Sequence, residues 1–298
     1  MNRFERLFEE HPIVLGDGAM GTMLQQLGLT TGGAPELWNV EAPDKIKQVH
    51  QGYIEAGSMV ITTNSFGGTR FRLALHNLQD RVEELNRAAA EIAREVAGER
   101  VAVAGSMGPS GELLFPLGTL TFEEAKEGFA EQAAALVAGG VDFLLIETMS
   151  ALEEVQAAIE GAREATKGAV PIAVTMTFDT RGHTMMGVSP AQALETIYGW
   201  GIRYIGSNCG NGPEETISAM EQMAAIKPPD VILIAQSNAG IPRWQKGGEI
   251  VYDGTPEVMA QYALRVRDLG VRYIGACCGS TPAHIRAMAE ALGITATA

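Results

Sequence analysis

Eight short β-rich runs alternate with helical patterns along the sequence, and this alternation limits the possible folds more than any other feature. The runs are rich in Val, Ile and Leu without strict alternation, which is typical of parallel strands buried on both faces. They span residues 12–21, 59–68, 101–111, 141–150, 171–180, 204–212, 231–240 and 273–281. This pattern predicts a single-domain α/β fold over residues 1–298, a (β/α)8 (TIM) barrel, with a doubly wound open sheet as the alternative.

The segments between the runs carry helix signals. Residues 43–57 begin with a proline and an aspartate and end at a glycine, as a capped helix does. In residues 121–140, Thr121 and Glu124 have the spacing of a capping box. Residues 151–165 and 256–270 have the same amphipathic period. These four segments are predicted to be helices.

Composition excludes several classes of protein. A formal charge of −14 over 298 residues argues against nucleic-acid binding and gives no support for an anionic membrane surface. The longest apolar runs are far too short to cross a bilayer, and the charged N-terminal stretch does not resemble a secretory signal. Three cysteines are few and odd in number, which argues against a disulfide framework. We therefore predict a cytoplasmic protein with reduced thiols and with neither nucleic acid nor membrane as a partner.

All three cysteines fall where predicted strands end. Cys209 ends the sixth run, and Cys277 and Cys278 end the eighth. Strand ends meet at one mouth of a barrel, so three thiolates from two strands predict a zinc site with an open fourth position. The alternative is that these cysteines are ordinary buried apolar residues, as a lone cysteine would be.

A zinc ion with three thiolate ligands suits the activation of a fourth sulfur, because metal binding deprotonates a thiol. Two carboxylates at other strand ends, Asp17 and Glu147, could bind an ammonium group. The Gly18 N–H and the Thr63 hydroxyl could hold a carboxylate. These groups together predict alkyl transfer to an amino-acid thiol; a non-catalytic zinc- or thiol-binding barrel subunit is the alternative.

Seven motifs carry a resemblance to a known family. The stretches "LGDGAMGTMLQ", "TTNSFGGTR", "GSMGPSGEL", "LLIETM", "SNCGNGPEE", "QSNAGIP" and "GACCGSTPAHI" occur in this order along essentially the whole chain. The sequence resembles the zinc-dependent homocysteine S-methyltransferases, and most of all the homocysteine-binding domain of cobalamin-dependent methionine synthase. Since the folate, cobalamin and reactivation modules of that enzyme are missing, we expect an excised domain or a free-standing subunit.

The resemblance implies a metal site and a reaction. It assigns Cys209, Cys277 and Cys278 as Zn²⁺ ligands, with Asn238 in a fourth position that the substrate thiol displaces. The implied reaction is methyl transfer to L-homocysteine, giving methionine. Methylcobalamin on a separate corrinoid-binding protein or domain is the expected donor. S-methylmethionine, S-adenosylmethionine and betaine, which stand-alone relatives use, are the alternative donors.

The resemblance also implies how the substrate is held. Asp17 and Glu147 match residues that bind the homocysteine amino group. Gly18 and Thr63 match residues that hold its carboxylate. These assignments agree with the chemistry expected of the same side chains at the mouth of a barrel.

Overall fold

Eight parallel strands form one sheet at the centre of the protein. The computed structural model describes residues 2–30, 32–244 and 250–295. The sheet contains β1 (Val14–Leu15), β2 (Val60–Thr62), β3 (Ala102–Met107), β4 (Phe143–Met149), β5 (Ile172–Met176), β6 (Tyr204–Cys209), β7 (Ile232–Ser237) and β10 (Tyr273–Ala276). A separate two-stranded antiparallel sheet consists of β8 (Pro242–Trp244) and β9 (Ile250–Tyr252).

The sheet curls into a nearly closed barrel. From β2 to β7, neighbouring strands follow chain order, and β10 pairs with both β7 and β1. The two remaining edges, β1 and β2, are joined by a 2.8 Å hydrogen bond from Met59 N to Leu15 O. The predicted barrel and all eight predicted strands are confirmed. The doubly wound alternative is wrong, because its strand order would reverse within the sheet.

Helices surround the barrel. They are α1 (Arg3–Glu10), α2 (Met20–Gln26), α3 (Trp38–Glu41), α4 (Pro43–Glu55), α5 (Arg70–Ala74), α6 (Val82–Ala97), α7 (Phe122–Ala138), α8 (Leu152–Thr166), α9 (Pro190–Gly199), α10 (Pro213–Ile226), α11 (Pro256–Asp268) and α12 (Pro282–Leu292). The four predicted helices are confirmed as α4, α7, α8 and α11, and the capping box between Thr121 and Glu124 is present. Within the described ranges, no helix combines the length and apolar character needed to cross a membrane.

Helix α1, which the sequence patterns did not predict, closes the amino-terminal end of the barrel. Asn2 caps it, and its Phe4 ring is fully buried. That ring stacks on Phe143 of β4 with 3.7 Å between centroids and meets Phe8 edge-on at 5.1 Å. Because this end is filled by aromatic side chains, a ligand must enter from the carboxyl ends of the strands.

Replacing Phe4 tests the role of this plug. Phe4→Ala should lower the free energy of unfolding by about 3–5 kcal/mol, since it removes a buried ring from a packed core. Leu75→Ala is the control, because Leu75 is 67% exposed and its truncation should cost within about 0.5 kcal/mol. Urea unfolding measures both. Equal small effects of the two substitutions would contradict the assignment of α1 as the barrel plug.

Candidate metal and substrate site

A cavity of about 490 Å³ opens at the carboxyl ends of the barrel strands. It collects side chains from seven of the eight barrel strands or the turns that follow them. Its wall includes Asp17, Gly18, Thr62, Thr63, Ser106, Glu147, Asn208, Cys209, Gln236, Cys277 and Cys278. The cavity therefore brings together every predicted site residue except Asn238, whose side chain contacts Gly210, the residue after Cys209. Among the described residues, no lysine lines it.

The three cysteines form one cluster. Their sulfur atoms all lie within 4.8 Å of one another, and Cys209 Sγ is 3.9 Å from Cys278 Sγ. Cys209 has a φ of +64° at the end of β6, an uncommon conformation for a residue with a side chain. Gly279, with a φ of +79°, turns the chain after the cysteine pair. These two turns aim sulfur atoms from β6 and β10 at one point.

The cluster fits a zinc ion. A tetrahedral zinc with Zn–S bonds of about 2.3 Å has sulfur–sulfur edges of about 3.8 Å. The 3.9 Å separation between Cys209 and Cys278 matches such an edge. Thiolates are also the soft ligands that zinc accepts in structural and catalytic sites. The three sulfur atoms supply three corners of a tetrahedron.

Asn238 follows β7 and carries a buried carbonyl oxygen. Its side chain is 2% exposed, and its Oδ1 has no hydrogen-bond partner. Its Nδ2 donates to Gly210 O at 2.5 Å, which fixes the amide beside the turn that follows Cys209. A buried carbonyl oxygen without a partner costs about 1–3 kcal/mol, so its retention favours a ligand at this position.

Tyr252 is a neighbour of the cluster that the sequence motifs did not indicate. Its ring occupies the space above Gly279, where an added Cβ would lie 2.2 Å from Tyr252 Cγ. Hydrogen bonds from Cys209 and Cys277, with a further one from the Tyr252 hydroxyl, lower the pKa of Cys278 well below its usual value. Hydrogen bonds within the cluster therefore stabilise a thiolate in the metal-free protein.

Asp17 lies at the seam between the two barrel edges. Its Oδ2 accepts a 2.7 Å hydrogen bond from Thr62 N, and its Oδ1 accepts one of 2.9 Å from Thr62 Oγ1. The side chain is 2% exposed, and this burial raises the pKa of Asp17 to about 7 against the opposing effect of the Thr62 hydrogen bonds. The carboxyl is therefore poised to ionise when a cation arrives.

Glu147 on β4 has a similar electrostatic environment. Withdrawal from solvent raises its pKa to about 7, and the negative charge of Asp17 acts in the same direction. Its Oε1 accepts a 2.6 Å hydrogen bond from Ser106 Oγ, which opposes the rise. An ammonium group bound near Asp17 and Glu147 would favour the ionised form of both carboxyls.

The two predicted carboxylate-binding groups differ in availability. No described residue accepts from the Gly18 N–H, and an added Cβ at Gly18 would lie 2.4 Å from Ser280 Oγ. The Thr63 hydroxyl already accepts from Ser106 N at 3.0 Å and lies 2.6 Å from Ser65 Oγ. Because Ser65 Oγ donates its own proton to Ser106 O, the hydroxyl proton of Thr63 must be the one shared with Ser65 Oγ. Thr63 therefore needs to exchange a hydrogen bond before it can donate to a ligand.

Asn208 connects the carboxyl and thiol parts of the site. Its Oδ1 accepts from Thr148 N and from Thr175 Oγ1, both at 2.8 Å. Its Nδ2 donates to Thr148 Oγ1 at 2.7 Å and to Glu147 Oε2 at 3.3 Å, and lies 3.9 Å from Cys277 Sγ. One amide thus positions parts of β4, β5 and the cysteine cluster.

A bulge in β4 brings two consecutive side chains to the cavity. Neighbouring residues of a regular strand face opposite ways, yet Glu147 and Thr148 both line the wall. The pairing register of β4 with β5 shifts between Ile146 and Met149, and Thr148 has a φ of +61°. A β-branched residue in this conformation is strained. Two hydrogen bonds hold it there, one from Thr148 N to Asn208 Oδ1 and one from Asn208 Nδ2 to Thr148 Oγ1.

The fold and the cluster define a class of protein: an α/β barrel with a three-thiol metal site beside two buried carboxyls. The chain belongs to the homocysteine S-methyltransferase family, because the model of that family, described as "Homocysteine S-methyltransferase", matches residues 14–292.

Two curated relatives are similar to this chain over most of its length. The methionine synthase of Mycobacterium tuberculosis is 33% identical over 297 residues, covering 94% of this chain and 24% of that protein. The methionine synthase of Mycobacterium leprae gives the same identity and coverage. The chain thus spans about a quarter of the length of these relatives.

Solved structures are similar as well. The oxidised form of the homocysteine methyltransferase MmuM from Escherichia coli is 26% identical, with a TM-score of 0.80 over 97% of this chain and 99% of that one. The metallated form of the same protein is 24% identical, with a TM-score of 0.77 over 96% and 99%, and supports the fold alone.

The raised pKa of Asp17 gives a prediction for the metal-free, ligand-free protein. Between about pH 4 and pH 7 the folded state keeps a proton on Asp17 that the unfolded state has lost. The contribution of Asp17 to the free energy of unfolding is therefore fully present below about pH 4. It is lost as the pH rises from there through about 7. Asp17→Asn lacks this titration, and its stability relative to wild type should increase over this range by up to about 4 kcal/mol.

Urea unfolding of both proteins at several pH values between 4 and 8 measures the effect. Asn can keep contacts to Thr62 through its carbonyl and amide groups, so the comparison isolates the charge. A stability difference that does not change with pH would contradict the assignment.

Proposed function

We propose that this protein transfers a methyl group to the thiol of L-homocysteine and so forms methionine, with residues 1–298 acting as one homocysteine-binding domain. The observation that carries the proposal is the meeting of two features in one cavity. The cysteine cluster has the spacing of zinc ligands. The carboxyls of Asp17 and Glu147 line the same cavity and suit the ammonium group of an amino acid.

In this proposal Cys209, Cys277 and Cys278 hold Zn²⁺, and Asn238 Oδ1 fills the fourth position until substrate arrives. Zinc bound by thiolates keeps a substrate thiol in its nucleophilic, deprotonated form at neutral pH. Asn208, through its contacts with Glu147 and Cys277, keeps the amino-acid and sulfur subsites in register.

The remaining residues bind and orient the substrate. Asp17 and Glu147 bind the ammonium group, and the Gly18 N–H holds the carboxylate together with Thr63 after the latter releases Ser65. Fixing both ends of the amino-acid head restricts the sulfur to one position and one direction of attack. A new sulfur–carbon bond then forms as the methyl carbon leaves its donor, and the bonding electron pair stays with the donor.

The proposed donor is methylcobalamin, carried by a separate corrinoid-binding protein or domain. Support comes from the similarity to methionine synthases, of which this chain covers about a quarter. Those proteins are about four times as long as this chain, and the proposal places the donor and its carrier outside residues 1–298.

Removing one thiol tests the metal site. Loss of a residue that only hydrogen-bonds to a metal ligand typically weakens metal binding by roughly 10- to 100-fold. Cys277→Ser should weaken zinc binding by more than this, because it removes a ligand. Methyl transfer should fall with it, while the circular dichroism spectrum stays that of a folded barrel. Competition with a chromophoric chelator measures zinc affinity. A variant that retains zinc and full activity would contradict the assignment of the cluster.

A comparison of donors tests the reaction. Zinc-loaded protein is incubated with homocysteine and one donor at a time: methylcobalamin, S-methylmethionine, S-adenosylmethionine or betaine. Methionine is then quantified in each mixture. We expect methionine with methylcobalamin. Product with only one of the other compounds would replace the proposed donor. No product with any of them would favour a non-catalytic zinc- or thiol-binding barrel.

A further inference from the structure

Tyr252 contacts the cysteine cluster without being part of the cavity wall. Its ring packs over Gly279, where an added Cβ would lie 2.2 Å from Tyr252 Cγ and 2.5 Å from its Cδ2. The hydroxyl at the other end of the ring forms a hydrogen bond with Cys278, which does line the cavity. Tyr252 can therefore act on a ligand in the cavity only through the sulfur of Cys278.

The backbone around Tyr252 is tied to the rest of the barrel. Tyr252 ends β9, where it is paired with Pro242 of β8. Two residues later, Gly254 N donates to Ala239 O at 2.9 Å, and Gly254 O lies 2.9 Å from His284 Nε2. These contacts join the segment to the turn after β7 and to α12. The fold thus fixes where the Tyr252 ring starts, and Gly279 provides the space in which it lies.

The direction of the hydrogen bond follows from the protonation of its two partners. A phenol has an ordinary pKa of about 10, so it carries its proton at neutral pH. A cysteine that binds a metal is a thiolate and has no proton to donate. Tyr252 must therefore be the donor and Cys278 the acceptor whenever the cluster holds a metal. Hydrogen bonds to a charged acceptor are stronger than those between neutral groups.

The charges around the cluster give this donor a purpose. Three thiolates carry more negative charge than one Zn²⁺ neutralises, and the carboxyls of Asp17 and Glu147 line the same cavity. Among the described residues, Arg72 is the only lysine or arginine in the wall, and its charge acts on the buried carboxyl of Glu36. Compensation at the sulfur atoms therefore depends on hydrogen-bond donors.

Each sulfur has such a donor. Asn208 Nδ2 lies 3.9 Å from Cys277 Sγ, and the backbone N–H of Gly210 donates to Cys209. For the third sulfur, Tyr252 is the only side chain outside the cluster that donates to it, in the part of the chain that the structure describes. Loss of the Tyr252 hydroxyl would leave that sulfur with donors from the cluster and the backbone alone.

We infer that Tyr252 is a positioning residue of the metal site, whose hydroxyl donates to Cys278 Sγ, holds that sulfur in place and withdraws negative charge from it. This inference rests on the proposed function, since it assumes that the cluster binds Zn²⁺. A less negative Cys278 repels an incoming thiolate less. Tyr252 thus favours the arrival of a fourth sulfur without touching the substrate.

Removing the hydroxyl tests the inference. Tyr252→Phe keeps the ring over Gly279 and should weaken Zn²⁺ binding roughly 10- to 100-fold, measured by competition with a chromophoric chelator. The absorption spectrum of the Co²⁺-substituted protein reports on the sulfur atoms themselves. Its sulfur-to-cobalt charge-transfer bands should move to longer wavelength, because a thiolate without the hydrogen bond releases its electrons more easily.

Two further variants serve as controls. Tyr198→Phe is matched in chemistry, since the Tyr198 hydroxyl donates to Asp230 Oδ1 at 3.3 Å in an exposed contact. It should change neither zinc affinity nor the cobalt bands. Tyr252→Leu removes the ring together with the hydroxyl and should weaken zinc binding at least as much as Tyr252→Phe.

The outcomes separate the inference from the proposed function. Unchanged zinc affinity and unchanged cobalt bands in Tyr252→Phe would overturn the inference. It would also be overturned if zinc binding weakens while the bands stay in place, or if only Tyr252→Leu has an effect, because Tyr252 would then act through packing. If wild type binds neither metal, or if Cys277→Ser binds zinc as tightly as wild type, the proposed function fails together with the inference.

Discussion

The parallel pairing of β1 with β10 is the contact on which the site depends. It joins the first and last strands through Val14↔Tyr273 and Leu15↔Ile274, so residues more than 250 positions apart become neighbours. Beyond the pairing, Ala276 N donates to Asp17 O at 3.0 Å, just before the cysteine pair. Without this closure, the carboxyl that suits an ammonium group and the thiols that suit zinc would not share a cavity. Helices cover the outer face of the barrel, as a parallel sheet requires. Helix α1 fills the barrel end opposite the site.

Some residues with an uncommon backbone conformation, and some buried polar atoms without a partner, lie at the site end of the barrel. Thr148 and Cys209 have positive φ, and Asn238 and Gln236 carry buried oxygen atoms without partners. Each feature costs stability in the ligand-free protein. The cost is tolerated because the rest of the barrel, including the stacked ring of Phe4, is well packed. A bound metal would supply a partner for Asn238 Oδ1, so metal binding is expected to stabilise the fold.

The sequence was sufficient to predict the barrel and the cysteine cluster, because buried parallel strands are continuous apolar runs and their ends meet at one mouth. Helix α1 was missed because its pattern is short and highly charged, although Asn2 and Glu5 form a capping box. The role of Asn208 was also missed. Its position depends on the register that pairs it with Gln236 across β6 and β7. This register cannot be obtained from the spacing of residues along one chain.

The central claim is that the three-cysteine cluster holds zinc so that a substrate sulfur can join it. X-ray absorption at the zinc edge measures this most directly, because it counts sulfur atoms around the metal. Zinc-loaded protein should have three sulfur neighbours and one lighter atom, which in our proposal is the Oδ1 of Asn238. Addition of homocysteine should change this to four sulfur neighbours. A sulfur count that stays at three with saturating homocysteine would contradict the account.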